Sequence, residues 1–152
     1  MNGIRRKFQC EEVQALLDGN DIIVITETHL NILSRCPEDF ILIARSNPIE
    51  SLTPRGGVAI YKKIDSELDI VVISKNDFKD CIVFRIIPIE VICVALYIPP
   101  SNTKYFSNEY MENLQLFLSN FKSTPTCLVG DLNSRFGQPP RFDDSVVYKR
   151  KP

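Results

Sequence analysis

The apolar residues of this chain follow two rhythms. In most places they form short β-branched runs, and in two places they recur every three or four residues. Asp21 to Thr26 (DIIVIT) belongs to the first kind. It lies between Asp18-Gly19-Asn20 and the polar Glu27-Thr28-His29, and it predicts a buried strand. Phe40 to Ala44, Val58 to Tyr61 and Leu68 to Ile73 are further extended runs, the first two separated by a polar loop with Pro48 and Pro54. Cys81 to Ile87 and Val91 to Ile98 are longer and joined only by Pro88-Ile89-Glu90, so they must pair as an antiparallel hairpin. A last run, Thr126 to Gly130, follows Pro125.

The helical rhythm occurs first from about Gln9 to Leu17, with Val13, Leu16 and Leu17 on one side and Asp18-Gly19-Asn20 as the stop. It returns at Tyr110, Leu114, Phe117, Leu118 and Phe121, with Ser107 as the N-cap. Helix, strands with a hairpin, helix and strand make an α/β (α+β layered) domain with a mixed sheet, not a regular doubly wound one. After Gly137 nothing periodic remains, and Pro139-Pro140 and the charged end read as an irregular tail over 138–152.

Composition narrows the picture a little. The 152 residues make one domain with a real core, and 44% hydrophobic with 24% charged residues argues against disorder. A net charge of −1 is no bulk nucleic-acid signature, so any such contact has to come from local patches. Arg5-Arg6-Lys7 and Lys149-Arg150-Lys151 are small enough to read as solvated ends. The five cysteines include no CxxC pair and no zinc-like spacing, and Cys81, Cys93 and Cys127 sit inside apolar runs. That odd count, with no apolar leader after Met1, leads to the expectation of a reducing, intracellular compartment. No window is apolar for the ~18 residues that a membrane span needs, so no membrane partner is expected.

Candidate chemistry collects where β-runs end. Thr26-Glu27-Thr28-His29 closes one run with a carboxylate, Tyr97 closes another ahead of Ile98-Pro99-Pro100, and Gly130-Asp131-Leu132-Asn133 closes the last. Arg55-Gly56-Gly57 opens a run instead. Period-2 geometry puts Asp131 and Asn133 on one side of an extended segment, with Leu132 turned away. If these strands lie side by side in a sheet, Glu27, Tyr97, Asp131 and Asn133 converge on one rim. Carboxylates and amide oxygens are hard ligands that suit Mg²⁺ or Mn²⁺, and a tyrosine hydroxyl and an asparagine amide donate to phosphate oxygens. Together they fit metal-assisted phosphoester hydrolysis. Each residue also has a plain alternative: Glu27 a solvated strand end, Tyr97 a half-buried strand tyrosine, His29 a polar loop residue, and Asp131 with Asn133 a turn.

In order along the chain, Asp21 to Leu30 (DIIVITETHL), Arg55 to Tyr61 (RGGVAIY), Tyr97-Ile98-Pro99-Pro100 and Gly130-Asp131-Leu132-Asn133 resemble motifs of the endonuclease/exonuclease/phosphatase superfamily. The second and third are similar to its retrotransposon branch, the apurinic-endonuclease-like domains of non-LTR retrotransposons. The resemblance runs to about Gly137, which gives a domain over 1–137. It implies a four-layer fold, a partial β-sandwich with a mixed, largely antiparallel sheet flanked by helices. It also implies a Mg²⁺- or Mn²⁺-dependent DNA endonuclease that nicks its target before reverse transcription. Glu27 would be the metal ligand and Tyr97 would help hold the phosphate. Asp131 would orient or activate water, Asn133 would bind the phosphate or position Asp131, and His29 would serve as a second layer behind the metal or contact the substrate. DNA would be the partner, with a reverse transcriptase domain if the chain belongs to a longer polyprotein, and a nuclear location would follow from action on chromosomal DNA.

The chain also departs from that pattern. Asn2-Gly3 matches a pair that in the family follows a first-strand asparagine by two residues, so that asparagine falls before Met1. The family's closing SDH segment, whose histidine completes the catalytic pair, has no counterpart after Gly137, and His29 is the single histidine. The expectation is a domain truncated at both ends, with uncovered edges and apolar faces and with weak or no activity. A non-catalytic retroelement remnant and a superfamily phosphatase are the alternatives.

Overall fold

The Val58–Lys63 strand alternates its side chains between two separate cores, and this alternation organises the molecule. In the computed structural model, Val58 and Ile60 enter one apolar cluster while Ala59 and Tyr61 enter another. The structure describes residues 11–28, 36–46, 56–75, 78, 80–101, 103–121 and 125–133. Asn2-Gly3, the two basic runs, His29, Arg55 and the 138–152 tail lie outside the described residues.

The elements are α1 (Glu11–Asp18), β1 (Ile22–Thr26), β2 (Phe40–Arg45), β3 (Val58–Lys63), β4 (Asp69–Lys75), β5 (Cys81–Ile87), β6 (Val91–Tyr97), α2 (Asn108–Ser119) and β7 (Thr126–Asp131). They build a mixed α/β molecule with two sheets. One is antiparallel in the order β1-β3-β2, and the other runs β4-β5-β6-β7 with β6 and β7 parallel. The strands expected side by side in one sheet are therefore divided between two. Alternation along a strand fixes which side chains share a face, but it does not name the neighbouring strand.

Phe84, Ile82, Ala95 and Tyr97 from the four-stranded sheet meet Val58, Ile60 and Ala44 from the three-stranded one, forming the core between the sheets. The opposite faces are covered by helices. Leu17 and Val13 of α1 pack with Ala59 and Tyr61, and Leu114 and Phe117 of α2 pack with Val83, Val94 and Leu96. Ser107 caps α2 as its sequence predicts, its Oγ accepting from the Tyr110 N–H. In α1, Leu17 is buried but Leu16 is 67% exposed, so the apolar stripe is narrower than expected.

The DIIVIT run is half-buried throughout, not buried. Both its faces are covered, Ile22 and Val24 by the inter-sheet core and Ile23 and Ile25 by the α1 cluster. Among the described strands, however, it lies at the edge of its sheet and is exposed from the side. β7 lies at the edge of the other sheet, with Leu128 45% exposed and Cys127 exposed in spite of its apolar surroundings. Among the described residues no helix is long and apolar enough to cross a membrane.

Candidate functional site

Each sheet brings one strand end to a common rim. β1 ends at Thr26, and the next residue, Glu27, turns into the left-handed region with φ of 49°. That turn lets its carboxylate leave the line of the strand. On the other sheet, Tyr97 ends β6 with its ring in the inter-sheet core, 9% exposed. The Tyr97 hydroxyl donates to Oε1 of Glu27 at 2.6 Å. This short bond to a carboxylate joins residues seventy apart in sequence and crosses from one sheet to the other.

Asp131 is the register partner of Tyr97 in the parallel β6–β7 pair. The Ile98 N–H donates to the Asp131 carbonyl at 2.9 Å, so β7 continues one residue beyond the expected end at Gly130. Gly130 itself has φ of 130°, and a Cβ there would run into the carbonyl oxygen of Leu96. A glycine is thus required where β7 closes on β6 beside the site.

Asn133 departs from the extended geometry expected of it. Its φ is 43°, its N–H donates to Oδ1 of Asp131 at 2.9 Å, and its Nδ2 donates to the Ile98 carbonyl at 2.8 Å. The chain turns after Leu132, which packs among the α2 contacts, so Asp131 and Asn133 are not successive teeth of one strand face. The physical reason is the aspartate itself, whose side chain accepts a backbone N–H two residues on and bends the chain. Asn133 holds the Asp131 carboxylate through its backbone and ties the turn to β6 through its side chain.

Among the described residues the charges acting on the Tyr97 hydroxyl are negative. The hydroxyl is held well above the ordinary phenol range, first by burial, then by the hydrogen bond to Glu27, then by the charges of Glu27, Asp131 and Asp80. Tyr97 is accordingly a protonated donor at neutral pH. Behind it, the Tyr110 hydroxyl on α2 donates to the Tyr97 carbonyl at 3.3 Å, and burial followed by the charge of Asp80 pushes Tyr110 up to about 12.

Reasoning from sequence passed over Asp80, although a carboxylate immediately before a β-run was a visible signal of the kind used at the other strand ends. It is 9% exposed, its carbonyl accepts the Tyr97 N–H at 3.0 Å, and its Oδ1 accepts the Gly57 N–H at 3.1 Å. Glu27, Tyr97, Asp131 and Asn133 therefore share one rim, and Asp80 and Tyr110 join them. His29 lies outside the described residues.

Among the described residues no group of three His, Cys, Asp or Glu side chains comes together to hold a metal ion. The donors present still suit a hard cation that keeps most of its water, since Mg²⁺ is commonly held by only one or two carboxylates. Glu27 and Asp131 are both exposed carboxylates on this rim. No protein-family model matches the sequence, and no curated protein matches it.

Proposed function

We propose that the rim formed by Glu27, Tyr97, Asp131 and Asn133 is a phosphodiester-hydrolysing centre that uses Mg²⁺ or Mn²⁺ and acts on DNA. The observation that carries this reading is the Tyr97 hydroxyl donating to Glu27 across the two sheets at 2.6 Å, with Asp131 paired to Tyr97 in the neighbouring strand. Three motifs separated in the chain thus supply a donor, carboxylates and an amide to one place, and with the Arg55–Tyr61 motif their order resembles the retrotransposon endonucleases. Packing of α1 outside one sheet and α2 outside the other supports the four-layer endonuclease/exonuclease/phosphatase arrangement.

Glu27 would hold the metal ion, which when bound supplies positive charge opposite the phosphate oxygens. Tyr97, kept protonated by its surroundings, binds a phosphate oxygen once Glu27 engages the cation. The Asp131 carboxylate, fixed by the Asn133 N–H, orients the attacking water. Among the described residues no histidine stands at this rim, where the resembling family has a second acid–base partner. Loss of such a group costs ~10²–10⁴-fold in rate, so turnover by these 152 residues is weak.

Nicking of supercoiled plasmid with Mg²⁺, with Mn²⁺ and with chelator tests the reading. Slow, metal-dependent nicking that disappears in Glu27→Ala and in Asp131→Ala is the expected result. Nicking that survives both substitutions refutes the site, fast nicking refutes the claim of weakness, and complete silence favours a non-catalytic retroelement remnant. Release of phosphate from inositol phosphates without any nicking would favour the phosphatase alternative.

A further inference from the structure

We infer that Asp80 is a positioning residue of this rim: it closes a ring of hydrogen bonds between the two sheets that holds Glu27 against the Tyr97 hydroxyl. The inference rests on the reading of Glu27 and Tyr97 as site residues. The ring can be followed bond by bond. The Tyr97 N–H donates to the Asp80 carbonyl at 3.0 Å, and the Gly57 N–H donates to Asp80 Oδ1 at 3.1 Å. The Thr28 N–H donates to the Gly57 carbonyl at 3.3 Å. Thr28 is covalently joined to Glu27, and Glu27 Oε1 accepts the Tyr97 hydroxyl at 2.6 Å, which returns the path to its start.

Asp80 is the member that carries this path from one sheet to the other. It precedes β5 in the four-stranded sheet, while Gly57 precedes β3 in the three-stranded one. The backbone around the ring is bent to allow it. Glu27 and Asp80 have φ of 49° and 52°, which side chains rarely adopt, and Gly56 and Gly57 have φ of 69° and 94°. Such conformations persist where surrounding contacts over-determine them. Gly56 leaves no slack, since a Cβ on it would lie 3.1 Å from Oδ2 of Asp80. The next residue is pinned as well: the Val58 N–H donates to Ser46 Oγ and the Ser46 N–H donates to the Val58 carbonyl, both at 2.9 Å. The buried polar residues Thr28, Ser46 and Asp80 all converge on Gly57-Val58. Glu27 is itself exposed, so its place beside Tyr97 depends on its backbone being held there.

Nuclear magnetic resonance tests this with or without catalysis. In the unmodified protein a coupling across the hydrogen bond should connect the Gly57 amide nitrogen to the Asp80 carboxyl carbon. With tyrosine labelled at Cζ, the Tyr97 resonance (the one missing in Tyr97→Phe) should move in Asp80→Ala toward its position in Glu27→Ala. It should move no further in the double variant. Asp80→Asn keeps an Oδ1 acceptor and should leave that resonance near its original position. The Gly57 amide should exchange roughly tenfold faster in Asp80→Ala. Absence of the coupling overturns the inference, as does an unmoved Tyr97 resonance in folded Asp80→Ala, or a shift in Asp80→Asn as large as in Asp80→Ala. If Asp80→Ala does not fold, the coupling and Asp80→Asn decide. Where metal-dependent nicking is present, Asp80→Ala lowers kcat about 10–100-fold with little change in KM. A protein that never nicks counts against the phosphodiesterase reading, and the resonances still judge the ring.

Discussion

At one end of the paired sheets, Lys62 of β3 reaches Asp69 of β4 at 3.6 Å, the Asp69 side chain 78% exposed and the Lys62 side chain 14%. Near it, Arg85 meets Glu90 at 3.4 Å across the β5–β6 hairpin, the two side chains 43% and 60% exposed. At the other end the sheets are joined by the Tyr97 hydroxyl on Glu27 and the Gly57 N–H on buried Asp80. Both ends carry charged groups, with Lys62–Asp69 passing between the sheets at the first, but the consequences differ. Exposed ion pairs contribute about 0–1 kcal/mol and are screened by salt. Short directional bonds, set on backbone that two residues hold in the left-handed region, fix where a side chain points. One end leaves its groups room to move, and the other fixes where Glu27 and Tyr97 meet.

The largest effect should fall on neither end. Phe84 is 1% exposed in the core between the sheets, and Phe84→Ala should cost about 3–5 kcal/mol in urea unfolding. A loss smaller than that from removing the Tyr97 hydroxyl would mean that the polar ties hold the sheets together, and the contrast between the ends would fail. Gly130→Ala comes next. The new Cβ meets backbone at Leu96 with φ at 130°, and a loss of at least ~2 kcal/mol is expected, visible as a lower urea midpoint. An unchanged midpoint would show that β7 can shift away from β6 without penalty.

Tyr97→Phe removes the bond to Glu27 and leaves the ring packed, so about 1–2 kcal/mol of stability should go, together with metal-dependent nicking. Loss of stability with nicking intact would make Tyr97 a structural tie like those at the far end.

Alkaline pH compares the rim with a site away from it. Tyr61, under α1, and Tyr110, behind Tyr97, are both pushed up to about 12 from 10.0, chiefly by burial. A raised phenol pKa means that the folded state holds the proton more firmly. The stabilisation is therefore complete below pH 10 and is lost as pH rises from about 10 toward about 12. Urea midpoints across this range should fall, and Tyr61→Phe and Tyr110→Phe should each flatten the fall. A curve insensitive to Tyr110→Phe would remove that residue from the electrostatics of the rim. The smallest effect belongs to Glu90→Gln, which loosens the half-exposed pair with Arg85, below about 1 kcal/mol and vanishing in high salt. A larger, salt-insensitive loss would mean that the far end is as tightly specified as the site.

These contrasts were only partly legible in the chain. Pro88-Ile89-Glu90 between two β-runs dictates a hairpin, and the structure has it with Ile86 opposite Val91. Ser107 announces the α2 cap because capping is a contact within a few residues. Leu16 misled because helical spacing marks a stripe without marking its width. Asn133 misled because the Asp131 side chain competes with the strand for its backbone N–H. Asp80 was visible as a residue, but nothing local says that a carboxylate before one strand will turn inward to the start of another.

The sequence alone therefore determined the elements and the identity of the polar residues at their ends, since these follow from periodicity and from interactions over a few residues. Tertiary structure alone decided that β1 and β6 belong to different sheets, and that Glu27 meets Tyr97 across them. It also decided that Asp80 links Gly57 to the strand carrying Tyr97. Partners that distant in the chain are selected by how two apolar faces pack, and no local pattern encodes that choice.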